Sequence, residues 1–282
     1  MTSIVYPTTN LKHVEQLNIV RGDGVYVYDD SGKEYLEGLA GLWCASLGYS
    51  NAELIEAITD QLKTLSYSHM FGGRTHNVVI QLAEQLSEML PVKNSKIFFA
   101  NSGSEANDSH IKMLRYYFNV TGEPQKKKII ALERSYHGVT VASAALTGLP
   151  ANHTHFDLPI DALGVIRAES PHYYRGRKDN ETEREFCERI IGNLEDLILR
   201  ENPETIAAFV AEPIGGASGV VVAPENYFPE VENLLTKYDI MLWSDEVICG
   251  FGRTGSPFGC QTMGFNPQLV SLAKQLSSAY LP

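Results

Sequence analysis

Short apolar runs alternate with longer amphipathic stretches over most of this chain, and this alternation constrains the fold more than any other feature. The apolar runs have the length of β-strands and cover residues 96–100, 128–132, 206–211, 240–247 and 269–273. The stretches with apolar residues at helical spacing cover residues 104–118, 185–200 and 226–238. Strand–helix–strand alternation predicts an α/β fold with a mostly parallel sheet and helices on both faces.

The first part of the chain follows a different pattern. Residues 25–38 form two alternating apolar–polar runs around a turn at residues 30–32, which predicts a β-hairpin. Apolar residues at helical spacing predict helices over residues 51–65 and 76–90. The strongly polar residues 170–184 predict a surface loop that leads into a helix.

Composition and charge exclude several classes of partner. Hydrophobic residues make up 44% of the 282 residues, enough for a sizeable core. The 23 Lys and Arg against 34 Asp and Glu give a net charge of −11 without a basic cluster, which argues against nucleic-acid or anionic-membrane binding. Residues 139–150, the longest weakly polar stretch, are too short to cross a bilayer. The four scattered cysteines predict a reducing, cytoplasmic location.

In parallel sheets ligands bind at the carboxyl ends of the strands, so the residues that follow each apolar run are the first candidates for a site. Ser102, Gly103 and Ser104 lie between a predicted strand and a predicted helix. The free N–H groups and the positive dipole end of a helix N-terminus favour an anion there. The alternative is an ordinary N-cap in which Ser102 or Ser104 satisfies the first helical turn.

An aromatic ring and an imidazole follow the next strand. Tyr136 and His137 come shortly after residues 128–132. Next to an anion site, a flat ring indicates a planar phosphorylated ligand. The alternative is that Tyr136 belongs to the core and that His137 is a turn residue.

Asp245 lies within the most apolar strand of the chain, on the same face as Trp243 and Val247 by the alternation of strand side chains. A carboxylate in apolar surroundings is costly unless it meets a cation. Three partners could satisfy it: Arg253 or another arginine, a metal ion, or a protonated ring nitrogen. The metal is the weaker option, because no His or Cys stands at ligand spacing.

Lys274 directly follows the apolar residues 269–273. Burial disfavours the charged form of a lysine and so favours a nucleophilic amine that can form Schiff bases. The alternative is a solvated lysine at the end of a strand. Taken together, an anion site, a stacking aromatic, a buried Asp and a reactive lysine are the components of a pyridoxal phosphate site.

Six segments carry a resemblance to a known family, and they are GLWCASLGYS (41–50), NSGSEAND (101–108), SYHGVT (135–140), VAEPIGG (210–216), SDEVICGFGRTG (244–255) and SLAKQLSSAYLP (271–282). Their wording and order resemble the class III aminotransferases of pyridoxal-enzyme fold type I. The nearest likeness is to the ω-amino acid:pyruvate branch, which includes β-alanine and amine transaminases.

The resemblance implies a role for each candidate residue. Lys274 forms the internal aldimine with pyridoxal 5'-phosphate, and Asp245 pairs with the ring nitrogen of this cofactor. The remaining implied contacts are phosphate binding by Ser102, Gly103 and Ser104, ring stacking by Tyr136 with His137 beside it, ring packing by Val247, a polar network at Glu212 and a substrate-pocket wall at Trp43. No metal is implied.

The resemblance also implies the reaction and the organisation of the chain. An amino group is expected to move from an amine or ω-amino acid to an oxo acid, with pyruvate as the expected acceptor, and the full-length protein is expected to be a homodimer. Residues 1–50 are expected to belong to a small domain and residues 51–282 to the large cofactor-binding domain. The alternatives are a non-catalytic truncated chain that keeps the cofactor motifs, or a related aminomutase or decarboxylating enzyme.

The chain departs from the family pattern at a few positions. Gln268 stands where Asp is usual, Ala279 where Gly is usual, and His110 where a small residue is common. Family members also continue past the lysine motif, with a threonine that reaches the partner subunit's phosphate and an arginine that receives substrate carboxylates. Because this sequence ends at Pro282, we expect both residues and the C-terminal small domain to be missing from it.

Overall fold

A parallel sheet forms the centre of the computed structural model, which describes residues 3–7 and 9–281. The described strands are β1 (Ile19–Asp23), β2 (Tyr26–Asp29), β3 (Glu34–Leu36), β4 (Lys128–Leu132), β5 (Val165–Ala168), β6 (Ile206–Ala211), β7 (Ile214–Gly215), β8 (Val221–Val222), β9 (Met241–Asp245) and β10 (Leu269–Ser271). Five of them make the central sheet in the order β10-β9-β6-β4-β5, and every pairing in it is parallel. This arrangement confirms the predicted fold class.

Helices cover both faces of that sheet. The described α-helices are α1 (Ala40–Trp43), α2 (Ala52–Thr64), α3 (Asn77–Met89), α4 (Gly103–Val120), α5 (Val141–Leu146), α6 (Ile160–Leu163), α7 (Tyr173–Gly176), α8 (Glu183–Glu201), α9 (Tyr227–Lys237) and α10 (Gly259–Thr262). Apolar side chains of α8 and α9 join one buried cluster, and those of α4 and α5 join another. The fold therefore has three layers, with the sheet between the layer of α8 and α9 and the layer of α4 and α5.

Strand alternation distributes the sheet's side chains between the two clusters. In β4, Ile130 and Leu132 belong to the cluster under α8 and α9, whereas Ile129 and Ala131 belong to the cluster under α4 and α5. All six residues of β6 are buried. A strand covered on both faces has to be apolar at every position, which is why β6 reads as a continuous apolar run.

Most predicted elements are confirmed with small shifts at their ends. The strand predictions for 128–132 and 206–211 have the observed bounds, and those for 240–247 and 269–273 shorten to β9 and β10. The helix prediction for residues 51–65 corresponds to α2, where the side chain of Asn51 accepts the Leu54 N–H at 3.1 Å. Strand β5 was not predicted, because its four residues include the polar Arg167.

The strand prediction for residues 96–100 is wrong. No strand is assigned to this segment. A cavity of about 630 Å³ is lined both by these residues and by β10, whose pairing in the described part of the chain is with β9 alone. The segment has the apolar composition of a strand, but a strand also needs a hydrogen-bonding neighbour.

The N-terminal hairpin is confirmed as β2 and β3, which pair antiparallel, with β1 added on the other side of β2. Its turn depends on Asp29, whose Oδ1 accepts the backbone N–H groups of Ser31 and Lys33 and the Ser31 hydroxyl. The Ser31 hydroxyl, the Tyr35 hydroxyl, which donates to Oδ2, and these backbone N–H groups together lower the pKa of Asp29 to about 2. The turn is thus held by one carboxylate.

The prediction of a loop over residues 170–184 is wrong in part. The segment contains α7 and the first residues of α8. A capping box begins α8: the Thr182 hydroxyl accepts the Glu185 N–H, and the Glu185 carboxylate accepts the Thr182 N–H. The polar composition of this segment therefore comes in part from capping residues, which a count of polar residues assigns to a loop.

A buried carboxylate holds the segment that follows β9. Glu246 accepts the backbone N–H groups of Gly259 at 2.8 Å and Cys260 at 2.7 Å, and the Ser244 hydroxyl at 3.1 Å. Burial raises the pKa of Glu246. The hydrogen bonds fold residues 247–258 back toward the end of β9.

Within the described ranges no helix is long and apolar enough to cross a membrane.

Truncation of the central strand tests this layered core. Phe209 of β6 is fully buried, so we expect Phe209→Ala to lower the free energy of unfolding by about 3–5 kcal/mol. The matched control is Phe156→Ala, at a phenylalanine that is 63% exposed; it should change stability by less than about 0.5 kcal/mol. Urea denaturation followed by circular dichroism measures both values. Equal losses for the two variants would contradict the assigned core.

Candidate functional site

All ten predicted site residues line one cavity. Its volume is about 680 Å³, and it lies where the carboxyl ends of β4, β6, β9 and β10 meet the N-terminus of α4. The ten residues are Trp43, Ser102, Gly103, Ser104, Tyr136, His137, Glu212, Asp245, Val247 and Lys274. Residues after four strands converge because parallel strands end at the same edge of a sheet.

The N-terminus of α4 forms one end of the cavity. Ser102 is its N-cap, and the Ser102 hydroxyl accepts the Glu105 N–H at 3.1 Å. The N–H groups of Gly103 and Ser104 have no acceptor within the helix, because they precede the first helical hydrogen bond. The capping interpretation of Ser102 and the anion-site interpretation therefore hold together.

Gly103 permits a close approach at this end. A Cβ built on Gly103 would lie 2.9 Å from Cγ2 of Val247, closer than packed side chains come. The Ser104 hydroxyl accepts the Val139 N–H at 3.1 Å. Gly138, with φ of +138°, would place a Cβ 2.5 Å from the Ser104 hydroxyl. The two glycines let α4, the segment after β4 and the segment after β9 meet.

Asp245 is buried at the end of β9 and held by three donors. Its Oδ2 lies 2.8 Å from Nδ1 of His137 and accepts the Asn107 amide at 3.0 Å. Its Oδ1 accepts the Val247 N–H at 3.2 Å. Arg253, considered as a structural partner, instead reaches the carbonyl of Trp43. Among the described residues no lysine or arginine forms an ion pair with Asp245.

Asn107 is a site residue that sequence reasoning missed. It is fully buried, and its amide group donates to the His137 carbonyl at 2.6 Å as well as to Asp245. Its Oδ1, like Nε2 of His137, is buried without a hydrogen-bond partner in the part of the chain that the structure describes. A signal was present in the sequence, because Asn107 shares the apolar face of α4 with Ile111 and Leu114.

Glu212 follows β6 and faces the same cavity. Its carboxylate accepts the backbone N–H of Tyr136 at 2.9 Å and of Gly216 at 3.1 Å. Burial, partly opposed by His137, raises the pKa of Glu212 to about 7. Burial also raises the pKa of the half-buried Tyr136. Glu212 thus positions the Tyr136 backbone while retaining a proton that can move near neutral pH.

Lys274 begins a 3₁₀ turn, Lys274–Leu276, shortly after β10. Its φ of +43° lies in the left-handed region that disfavours side chains other than glycine. Such strained residues concentrate at functional sites. The amine Nζ lies 5.9 Å from the ring centroid of Trp43. Lys274 and Trp43 therefore face each other across the cavity.

Residues just after the lysine complete the wall beside Trp43. Ala279 lines the cavity with φ of +62°, the left-handed region that the usual glycine adopts without strain. The Ser278 hydroxyl donates to the carbonyl of Cys44, and the Tyr280 hydroxyl to that of Gly48. These contacts attach the segment after Lys274 to the segment that carries Trp43.

Comparisons with known proteins show which family this chain is similar to. The family profile for aminotransferase class-III matches residues 8–282. A chloroplastic gamma aminobutyrate transaminase 3 of Solanum lycopersicum is 51% identical over 270 residues, which cover 95% of this chain and 52% of the relative. This chain therefore spans about half the length of that curated relative.

Two solved structures have the same fold. An omega transaminase from Pseudomonas jessenii in complex with PMP superposes with a TM-score of 0.96 at 51% identity, covering 99% of this chain and 62% of the solved one. A transaminase with L-Ala superposes with a TM-score of 0.92 at 53% identity, covering 94% of this chain and 62% of the solved one.

The proton on Glu212 makes stability depend on pH. Between about pH 4.5 and 7 the folded chain keeps a proton that the unfolded chain releases, so Glu212 lowers the free energy of unfolding as pH rises through this window. Glu212→Gln has no such proton. We therefore expect the difference in unfolding free energy between variant and parent to shift by on the order of 3 kcal/mol, in favour of the variant, from pH 4 to pH 8.

Urea denaturation at a series of pH values measures this shift. The matched control is Glu204→Gln, at an exposed glutamate, which should follow the parent at every pH. Parallel curves for Glu212→Gln and the parent would show that the proton is not held in the folded chain.

Proposed function

The chain belongs to the class III aminotransferases, and on this basis we propose that it moves an amino group from an amine or ω-amino acid to an oxo acid with pyridoxal phosphate as its cofactor. The observation that carries the proposal is the convergence of three complementary groups on one cavity: the α4 N-terminus, the Asp245 carboxylate and the Lys274 amine. An anion, a ring cation and an aldehyde would satisfy them in turn.

The residues present fit this cofactor. Asp245 is a buried acceptor whose Oδ1 takes a single, long hydrogen bond from the described residues. It therefore keeps acceptor capacity toward the cavity, where a protonated ring nitrogen would satisfy it. The free N–H groups of Gly103 and Ser104 suit a phosphate. A methyl group at position 103 would obstruct this approach through Val247.

The residues around the cavity then divide the work. Bound pyridoxal phosphate supplies an electron sink for the charge that develops at the amine-bearing carbon. Lys274 would hold the cofactor covalently, and its amine, when free, would accept the proton from the amine-bearing carbon and donate it to the aldehyde carbon of the cofactor. Asp245, oriented by His137 and Asn107, would keep the ring nitrogen protonated. Tyr136 would pack on the ring face.

The substrates follow from the relatives and the pocket wall. A relative named as a gamma aminobutyrate transaminase is 51% identical to this chain, and a transaminase solved with L-Ala is 53% identical. Alanine is the amino acid formed when pyruvate accepts an amino group, so we propose pyruvate as the acceptor. The Trp43 ring faces Lys274, and we propose that it limits the size of the donor's substituent.

The oligomeric state, the location in the cell and the domain division of the protein are proposed as well. We propose that the protein acts as a homodimer and in the cytoplasm. We also propose that residues 1–50 belong to a small domain and residues 51–282 to the cofactor-binding domain. Gel filtration with light scattering, and localisation of a tagged protein, test the first two.

Lys274→Ala tests the central assignment. We expect the parent to develop the absorbance band of bound pyridoxal phosphate and to lose it when an amine donor is added, while Lys274→Ala shows neither change. Borohydride reduction and peptide mapping should place the label on Lys274 of the parent. The control Lys112→Ala, at an exposed lysine of α4, should behave as the parent. Labelling of another lysine in the parent would overturn the assignment, and a stable band without donor turnover would favour a non-catalytic protein.

Gly103→Ala tests the phosphate end of the cavity. The added Cβ meets Val247 at 2.9 Å, so we expect it to weaken pyridoxal phosphate binding about tenfold, the effect of moderate overpacking. Pyridoxal, which lacks the phosphate, should lose much less. The control is Gly192→Ala, where an added Cβ meets nothing within 4 Å. Equal losses for both ligands would contradict a phosphate role for this loop.

A further inference from the structure

We propose that His110 is a positioning residue that holds the lysine-bearing end of β10 in place against α4 by way of Ser271. The inference rests on the proposed cofactor site, but its geometry lies behind the cavity, among residues that do not line it. His110 has no role in the reaction described above.

Three side chains from three elements meet at one hydroxyl. Nδ1 of His110 lies 3.1 Å from Oγ of Ser271, and Nε1 of Trp243 donates to the same Oγ at 2.9 Å. The His110 and Trp243 rings meet edge to face, with centroids 4.9 Å apart. Ser271 and Trp243 are buried. Because the Ser271 oxygen accepts from Trp243, its own proton is available for Nδ1 of His110.

With the Ser271 hydroxyl as donor, Nδ1 of His110 has to be unprotonated. Burial lowers the pKa of His110 to about 4, although the Asp245 carboxylate acts in the opposite direction. At neutral pH the unprotonated Nδ1 can therefore accept the Ser271 proton. At neutral pH the His110 ring is thus hydrogen-bonded to Ser271 of β10.

This hydrogen bond connects the groups of the proposed site. Asn107, one helical turn before His110, holds Asp245. Ser271 stands opposite Asp245 in the β9–β10 register and three residues before Lys274. Through Asn107 and His110, helix α4 thereby contacts both β9 and β10, while its own first turn faces the cavity.

The hydrogen bond between His110 and Ser271 matters because β10 has few pairing partners among the described residues. It is three residues long and, in the described sheet, pairs with β9 alone. Its other side borders the cavity of about 630 Å³ that it shares with residues 96–100. A short strand supported on one side depends strongly on side-chain contacts from the helix above it.

Three variants separate the hydrogen bond from the packing. His110→Phe keeps an aromatic edge near Trp243 but removes the acceptor, and His110→Leu removes the acceptor with a smaller side chain. His110→Asn loses the ring but places an amide oxygen near the position of Nδ1. If His110 positions β10, the effect follows the loss of the acceptor rather than the loss of the ring.

Two readouts are needed, and the first requires no cofactor. The Glu246 N–H donates to the Ser271 carbonyl at 2.9 Å across β9 and β10. Hydrogen exchange of peptides covering 240–250 and 266–281 therefore reports how firmly β10 is held. We expect His110→Phe and His110→Leu to exchange about three- to tenfold faster there, the range given by one hydrogen bond, and His110→Asn to stay within about twofold of the parent.

The second readout is pyridoxal phosphate affinity, followed by the absorbance of the bound cofactor, together with the free energy of unfolding. We expect affinity to fall by the same factor in the Phe and Leu variants and to be restored in His110→Asn, since asparagine has about the same helix propensity as histidine and phenylalanine. Unchanged exchange and affinity in the Phe and Leu variants would overturn the proposal. The proposal would also be overturned if cofactor affinity fell in all three variants in proportion to their loss of unfolding free energy. If the parent itself does not bind the cofactor, the proposed function fails, and hydrogen exchange alone decides the role of His110.

Discussion

The burial of the Asp245 carboxylate at the end of β9 is the constraint on which the site depends. A carboxylate in this position is costly unless donors surround it, and the chain supplies them from three separate segments. His137 comes from the turn after β4, Asn107 from α4 and the Val247 N–H from the residues that follow β9. One charge therefore determines how three segments are arranged around the cavity.

Helix α4 is the element that connects the parts of this arrangement. Its first turn presents free N–H groups to the cavity, and Asn107 on its buried face reaches Asp245. Its apolar residues Ile111 and Leu114 pack on the sheet. A shift of this helix would therefore change both the anion end and the carboxylate end of the cavity, which is why a further contact at His110 has consequences for the site.

The sequence pattern predicts these elements unevenly, for physical reasons. Residues 206–211 were predicted with correct bounds, because a strand covered on both faces is apolar throughout. Residues 96–100 have the same composition but form no strand, since pairing depends on a neighbouring strand that composition does not report. Strand β5 has a neighbour in β4, but it is only four residues long and one of them is the polar Arg167. Local composition reports burial well and pairing poorly.

By itself the sequence determined the fold class and the family resemblance, and it singled out ten of the residues that line the cavity. Seven of these were found from strand ends, a helix start and a buried charge, which are local features of the chain, whereas Trp43, Glu212 and Val247 came from the resemblance. The tertiary structure alone decided which groups satisfy Asp245. Asn107 and Asp245 are separated by 138 positions in the chain, and the hydrogen bond between them exists only because α4 packs across β9. The raised pKa of Glu212 and the strained turn at Lys274 likewise arise from burial and packing. Interactions of this kind depend on distances between segments that are remote in sequence, and no local pattern encodes those distances.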